Sequence, residues 1–509
     1  MTTQDFLAPK GLVPGEYLKI SGFFIAIYII YATGRAIYTA FLGPLRKFPG
    51  PRLRALSRYP ELWTLAKGDE GSDYVALHAK YGPVVRIGPT QLSYAGGAQA
   101  WKDIYGFRKQ GQAGIFKEPE FYSAPFNNVD HLITADDATH GRQRKLLSHS
   151  FADKTLKDLE PLLKYWVTKM RTKLEERINA GEKVDILKYY NCTTFDIMGD
   201  LSFGENLGML DNGEYSSWVK AMFLGIKDGV LLRSLKLINW LTEWVVDRFL
   251  MNSPTVRVKQ AEHWNYSKDR VDRRLAKTPD RVDLWTKILE KSKLAENGLT
   301  VDEHHSNASL FMIAGTETTA TALSGLTYYL LRNPQYLNRL AEEIRSAHDT
   351  VDDITLESIQ NLKYLRAVLQ EGLRMYPPVP SLLPRRVPKG GAMVDGEFVP
   401  GGTTLGVHQL ATYRSEANFK HAHEFRPERW LGDPEYKDDR LDSLEPFSVG
   451  PRNCIGKNLA WHEMRLILST TLYSFDLQLC EESMGWQEQK VWTLWEKRPL
   501  MCTLTLAQR

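Results

Sequence analysis

Cys454 is the residue whose surroundings most clearly invite chemistry. It lies in Phe447-Ser448-Val449-Gly450-Pro451-Arg452-Asn453-Cys454-Ile455-Gly456, directly before an apolar, helix-like run from Lys457 to about Phe475. Gly450 and Gly456 allow a sharp turn and let a flat ligand lie close to the backbone. Arg452 fixes a cation nearby, and the free N–H groups at a helix start lower a thiol pKa. A thiolate held this way is a soft ligand for iron. A lone cysteine would read as structural, but F-x-x-G-x-R-x-C-x-G fixes four positions besides this one.

A second constellation is Phe311-Met312-Ile313-Ala314-Gly315-Thr316-Glu317-Thr318-Thr319, inside a helical run from about Val301 to Leu331. Glycine and threonine are poor choices for a helix interior, and such local conflicts often mark function. Gly315 removes bulk where a ligand could approach. The Thr318 hydroxyl can bond back to the Ala314 carbonyl and open the helix. Glu317 adds a titratable group, and a hydroxyl beside an acid can carry protons to bound dioxygen. A plain helix bearing a capping-type acid is the bland alternative.

Other pairs are weaker alone. His140 and Arg144 lie four apart and share a helical face; their donors suit carboxylates, although Arg142 and Lys145 beside them also fit a solvated basic face. Glu371 and Arg374 form an i,i+3 pair, commonly a surface salt bridge worth little. Phe425-Arg426-Pro427-Glu428-Arg429-Trp430 offers a further cation, and Pro384-Arg385-Arg386-Val387 presents two arginines.

Taken in order, these motifs resemble those of the cytochrome P450 monooxygenases, over nearly the whole chain. The resemblance implies a mainly α fold, a large helical body with small β-sheets, built around haem. It makes Cys454 the axial thiolate on the iron, with Phe447, Gly450, Arg452 and Gly456 shaping the loop around it. Ala314 and Gly315 would lie over the haem. His140, Arg144 and one of Arg385 or Arg386, with Arg385 favoured, would hold the propionates. Glu317 and Thr318 would serve proton delivery. Glu371, Arg374 and Arg429 would form a buried structural triad behind the cysteine loop. The loop Gly111–Asp130 would cover the distal pocket, and the apolar stretch Met222–Met251 would be its lid. Phe121, Phe126, Phe311, Ile313, Val379, Leu382, Leu383 and Trp495 are the expected pocket walls. They suit an apolar substrate, polycyclic or terpenoid.

No G-x-G-x-x-G loop follows a strand, so electrons must come from a separate NADPH-cytochrome P450 reductase. Its acidic surface would meet a basic face that includes Lys145, Lys457 and Arg465. The motif forms resemble fungal microsomal members of secondary metabolism, with terpenoids or polyketides as substrates. Two other classes compete: a haem-thiolate isomerase or dehydratase on the same fold, and a non-catalytic membrane haem binder.

The rest of the chain must carry these residues. Its 509 residues are 43% hydrophobic and 25% charged, a globular composition. The net charge of +4 gives no argument for nucleic acid. The four cysteines show no paired spacing, which suits a reducing compartment. Length alone suggests several domains, but no repeat or Gly/Ser linker divides the chain. Ile20–Gly34 is free of charge; spanning a bilayer takes about 20 residues, which Tyr17–Leu42 reaches if Lys19 and Arg35 snorkel. Arg46, Lys47, Arg52, Arg54 and Arg58 follow, and positive charge there keeps the C-terminal side cytosolic. The reading is a membrane anchor over 1–43, a stiff Pro/Gly/basic elbow over 44–58 and a catalytic domain over 59–509, facing the cytosol from the endoplasmic reticulum. A cleaved signal peptide is opposed by the basic flank and the missing disulfide framework. Val84–Gly88 and Leu92–Ala95 read as a small hairpin, residues 136–376 as mostly helical, with strands returning after Lys389.

Overall fold

The computed structural model describes residues 14–108, 114–122, 125–277 and 281–508. At its centre runs a helix of 32 residues, Val301–Arg332. Thr300 caps it: the Thr300 hydroxyl accepts from the Glu303 N–H at 3.2 Å, and the Glu303 carboxylate accepts from the Thr300 N–H at 2.9 Å. Asn333 and Pro334 stop it. Both faces of this helix are covered. The helix Ile186–Phe203 lies along it, buried on every side. The helix Lys363–Met375 and the helix after the cysteine loop, Lys457–Ser474, pack on the remaining sides. A helix enclosed in this way shows no apolar stripe, which is why its sequence looks irregular.

The five-stranded sheet runs in the order Val84–Gly88, Gln91–Tyr94, Thr404–Val407, Arg385–Arg386, Phe116–Lys117. The first two strands form the expected hairpin, antiparallel with Val84 opposite Tyr94. The last two place Lys117 opposite Arg385. Strand Met501–Leu506 pairs antiparallel with Phe475–Leu479 and Val184–Asp185, and Val491–Trp492 with Leu494–Trp495.

Helix Pro14–Ile37 continues through Tyr38–Leu42. Lys19–Leu42 is long and apolar enough to cross a membrane, and it is exposed along most of its length, with Ala40 buried near its end. The segment after it packs against the body of the protein. Leu45 and Phe48 are buried in the core beneath the sheet, and the buried Arg54 donates to Thr64 at 2.9 Å and Asp73 at 2.7 Å. Arg86 of the first strand donates to the Thr39 carbonyl at 2.9 Å. The end of this helical run is therefore tied to the sheet.

The stretch Met222–Met251 resolves into a lid helix, Ser217–Lys236, followed by Trp240–Val245 and Val246–Met251. Trp240, Trp244, Phe249 and Leu250 are exposed, as are Tyr59 and Trp63 on the helix Tyr59–Ala66 that contacts the lid. The second half of this stretch is therefore surface and not core.

Glu463 of the post-cysteine helix is 1% exposed, and among the described residues its carboxyl group has no charged partner and faces the Thr319 hydroxyl. Burial pushes its pKa up to about 8, with the Thr319 hydroxyl pulling it back. The folded chain thus holds a proton that the unfolded chain loses near the ordinary glutamate pKa of about 4.3. Between these values the native state binds more protons, so stability falls with rising pH, by about 1.4 kcal/mol per unit. Glu463→Gln is expected to raise the thermal midpoint at pH 8 and to leave it nearly unchanged at pH 4.5. Equal effects at both values would contradict a protonated Glu463.

Candidate active site

The cysteine loop is tied back on itself. The Cys454 N–H donates to the Phe447 carbonyl at 2.8 Å, the Asn453 N–H to Gly450 at 3.2 Å, and the Ser448 N–H to Glu445 at 2.9 Å. Gly450 has φ +76°, and a Cβ there would stand 2.1 Å from the Tyr105 carbonyl oxygen. Its glycine is required, but by the approach of the Tyr105–Gly106 backbone rather than by a ligand. Gly456 has φ −82°, an ordinary value, and a Cβ there would meet only the Cys454 sulfur, at 3.9 Å. The left-handed residue that sequence reasoning missed is Ser448, at φ +58°. Phe447 is half-buried, 6.2 Å from the Trp461 ring.

Cys454 is exposed, and the other three cysteines are buried. Its exposure is to a recess, because burial still dominates its titration. Burial pushes the thiol above its ordinary pKa; the Gly456 N–H, Arg144 and Lys457 oppose this without reversing it. The helix-start argument, which expected a lowered thiol, has the right direction for the amide and the wrong net sign, since desolvation is the larger effect. A coordinated metal ion removes a thiol proton outright.

Beside the loop, four basic side chains converge. Lys117 and Arg385 are neighbours across the sheet. Arg385 is buried, its Nε has no partner among the described residues, and its guanidinium lies 5.4 Å from the Tyr105 ring centre. Arg452 donates to Asp137 at 2.6 Å and to the Ala135 carbonyl at 2.8 Å, leaving Nη1 buried without a partner. His140 is buried on the helix Asp137–Leu147. The group strains electrostatically. Burial, then Arg385 and Arg452, pull Lys117 down to about 6. Burial, then Arg452, Arg144 and Lys117, pull His140 down to about 4. Asp137 is the carboxylate that acts against both shifts. Such a cluster fits two added carboxylates, as the propionates of haem would supply.

The choice between the two arginines follows from their partners. Arg386 donates to Glu118 at 2.9 Å and is 41% exposed, so its charge is already met. Arg144, expected at a propionate, already has partners in the cysteine loop. It donates to the Asn453 side chain at 2.6 Å and to the Asn453 carbonyl, and so holds the cysteine loop. Lys117 was missed; a lysine between Phe116 and Glu118 carries no local signal, and only strand pairing brings it to Arg385.

On the central helix the Thr318 hydroxyl donates to the Ala314 carbonyl at 2.7 Å, as its position implied. Ala314 is exposed within the fold, and Gly315 and Thr318 are half-exposed. Two expectations fail here. A Cβ on Gly315 would stand 2.8 Å from the Met198 sulfur; its lost bulk admits the neighbouring helix, not a ligand. Glu317 is not a free acid beside Thr318. It is 3% exposed and ion-paired with the buried Lys497.

The triad is present and larger than expected. Glu371 accepts from Arg374 Nε at 2.9 Å and Nη2 at 2.7 Å, from Arg429 Nε at 3.2 Å, from Trp430 Nε1 at 2.9 Å and from the Arg426 N–H at 2.7 Å. Burial alone would raise its pKa, but Arg374 and Arg429 reverse that and leave it below the ordinary value. Asp439 pairs with Arg429 as a fourth member. The link to the loop runs through Tyr413, whose carbonyl accepts from Arg374 at 2.8 Å and whose hydroxyl accepts from the Glu445 N–H at 3.1 Å.

The expected pocket walls divide. Ile313, Val379, Leu383 and Trp495 are half-buried; Trp495 stacks on Tyr376 at 4.4 Å. Phe311 is not a wall: it is buried edge-on to Phe151 at 5.3 Å and Trp285 at 6.0 Å, inside the core. Phe126 is 49% exposed and packs on Trp264. Phe121 and Leu382 border a cavity of about 70 Å³ with Glu61, Glu70 and Arg233. Part of the covering loop, 111–113 and 123–124, lies outside the described residues.

Known proteins agree with this geometry. The family model described as cytochrome P450 matches residues 53–503. Cytochrome P450 monooxygenase efuB of Hormonema carpetanum is 46% identical over 95% of this chain and 96% of its own length. Cytochrome P450 monooxygenase FUM2 of Gibberella moniliformis is 43% identical over 93% of this chain and all of its own length. Averantin hydroxylase of Dothistroma septosporum is 38% identical over 95% of this chain and 92% of its own. Alignments that run the length of both chains, on a fold that presents a cysteine beside a cluster of basic side chains, have one meaning: the chain belongs to the cytochrome P450 family.

Proposed function

We propose that this haem monooxygenase is held in the endoplasmic reticulum membrane by residues 1–43, with residues 59–509 facing the cytosol. It hydroxylates or epoxidises an apolar small molecule of fungal secondary metabolism, such as a terpenoid or polyketide. The observation that carries the reading is the exposed Cys454 thiol beside Lys117, His140, Arg385 and Arg452. Bound haem iron supplies the oxygen activation, drawing electron density from the thiolate. Cys454 is its ligand, and Arg385, Arg452, His140 and Lys117 hold its carboxylates. Ala314 and Ile313 give the substrate an apolar wall. Thr318 presents a hydroxyl on the same helix face, kept in place by the Ala314 carbonyl. Electrons arrive from NADPH-cytochrome P450 reductase at the exposed Lys145 and Lys457; Arg465 is half-buried, 5.0 Å from the Trp461 ring centre, and contributes less. The names of the relatives support this substrate range, one being named for hydroxylating averantin.

Thr318→Ala tests the proton path. Haem content and substrate affinity are expected to stay near wild type. Loss of one preorganised donor costs about 10²–10³ in a step it stabilises electrostatically, and relay water makes the fall in product rate smaller than that. NADPH oxidation continues, with its electrons diverted to peroxide. Unchanged product per NADPH would remove Thr318 from the mechanism. Turnover without NADPH would favour the isomerase or dehydratase class.

A further inference from the structure

The segment that follows Trp495 joins the lid to the acid of the central helix through two adjacent residues of opposite charge. Glu496 faces the lid: its carboxylate accepts from Lys227 Nζ at 2.6 Å and from Trp492 Nε1 at 3.0 Å. Lys497 faces inward, its side chain 6% exposed. It pairs with Glu317 and donates to the Thr321 hydroxyl at 2.6 Å. Its ammonium also lies 5.9 Å from the ring centre of Phe223, one helical turn before Lys227 on the same face of the lid. The segment is clamped on both sides. Trp495 stacks on Tyr376 and donates to the Pro377 carbonyl at 2.7 Å. Arg498 donates to the Glu488 carbonyl at 2.7 Å.

We propose that Lys497 is a positioning residue for Glu317, holding its carboxylate turned away from the Thr318 hydroxyl, and that Glu496 ties this hold to the seat of the lid helix. The proposal rests on the reading that Glu317 serves proton delivery. A carboxylate can carry a proton only by taking one up and giving it on. Lys497 occupies Oε1, while Oε2 is buried with no partner among the described residues. Release of Glu317 need not strand the lysine, because Thr321 already accepts from it. The lid therefore has a lever on the acid: shifting Lys227 and Phe223 moves Glu496 and, with it, Lys497. The other titratable groups facing Glu317 are Tyr215, ahead of the lid helix, and Tyr376, at the end of Lys363–Met375. Burial pushes both phenols above their ordinary range, so both stay neutral.

The test compares Glu317→Gln, Lys497→Met, Lys497→Arg and the double variant Glu317→Gln/Lys497→Met in full-length, haem-loaded enzyme. Product per NADPH and peroxide are read from pH 6 to 9, with the carbon monoxide difference spectrum as a check on folding. Lys497→Met leaves a buried acid without its cation. The coupling of that variant is expected to fall several-fold and to acquire a titration step within this range. The double variant should lack the step, and Lys497→Arg should restore the flat wild-type profile. Lys227→Glu should reproduce part of the loss, and adding Glu496→Lys should reverse it; these surface changes keep the inference testable if Lys497→Met fails to fold. Wild-type coupling in Glu317→Gln would overturn the proton-delivery reading itself. Uncoupling in Glu317→Gln with a wild-type profile in Lys497→Met, or in Lys227→Glu, would overturn the inference alone.

Discussion

Cys454→Ser is expected to abolish oxygenation while leaving much of the fold in place. The sulfur faces the Gly456 N–H, which a serine oxygen can also accept from, and the loop is closed by backbone bonds that a serine preserves, chiefly the residue-454 N–H to the Phe447 carbonyl at 2.8 Å. What is lost is the ligand. A thiolate can be formed here because a coordinated metal ion removes a thiol proton outright, against the upward push of burial on Cys454. A serine hydroxyl is far more basic and does not donate electron density as sulfur does. The expected result is protein of near-normal circular dichroism, low haem content, no thiolate-type band in the carbon monoxide difference spectrum, and no product. Loss should exceed that of Thr318→Ala, where relay water can substitute. Retention of wild-type turnover by Cys454→Ser would sink the assignment of the axial ligand.

The sequence was most legible where a motif is local. The cysteine loop, the Thr318–Ala314 back-bond, the Glu371–Arg374 pair and the central helix lie within short stretches, so residue type and spacing sufficed. It was least legible where a partner comes from far along the chain. Lys497 lies 180 residues from Glu317, and nothing near either residue announces the other. Met198 occupies the space vacated at Gly315, so a helix–helix contact looked like room for a ligand. Phe311 was placed in the pocket because it neighbours Ala314, but one turn of helix rotates it into the core against Phe151 and Trp285. Arg144 shares a face with His140, yet its fork reaches Asn453. Each of these errors treats helical proximity as shared direction, which only packing decides.

Arg374→Met is expected to be the most damaging substitution away from the iron. Arg374 and Glu371 have no exposure, and the arginine fork donates to five acceptors: both Glu371 oxygens and the carbonyls of Tyr413, Ala422 and Glu424, at 2.6–2.9 Å. Removing one partner of a buried pair costs about 3–5 kcal/mol because the other charge is left uncompensated. Here Arg429 still contacts Glu371, which limits that part, but three buried carbonyls lose their donor as well. Such a sum is comparable with the whole stability of many proteins, about 5–15 kcal/mol. The damage should reach the iron ligand, since the Tyr413 carbonyl and hydroxyl connect Arg374 to Glu445 and so to Ser448 of the cysteine loop. Lysine cannot reproduce a planar fork, so Arg374→Lys should fail nearly as badly, unlike a lysine substitution at an exposed salt bridge. The measurements are haem per protein and the rate of limited proteolysis, with Arg386→Lys as the comparison, because Arg386 reaches Glu118 from a partly exposed position, with its side chain 41% exposed. Equal haem retention in Arg374→Lys and Arg386→Lys would show that the triad does not hold the loop. A useful control is the pair Glu371→Leu/Arg374→Met, which removes both charges together. If the damage comes from an uncompensated buried charge, that double variant should retain more haem than Arg374→Met alone; if it comes from the three carbonyls, the two should be equally poor.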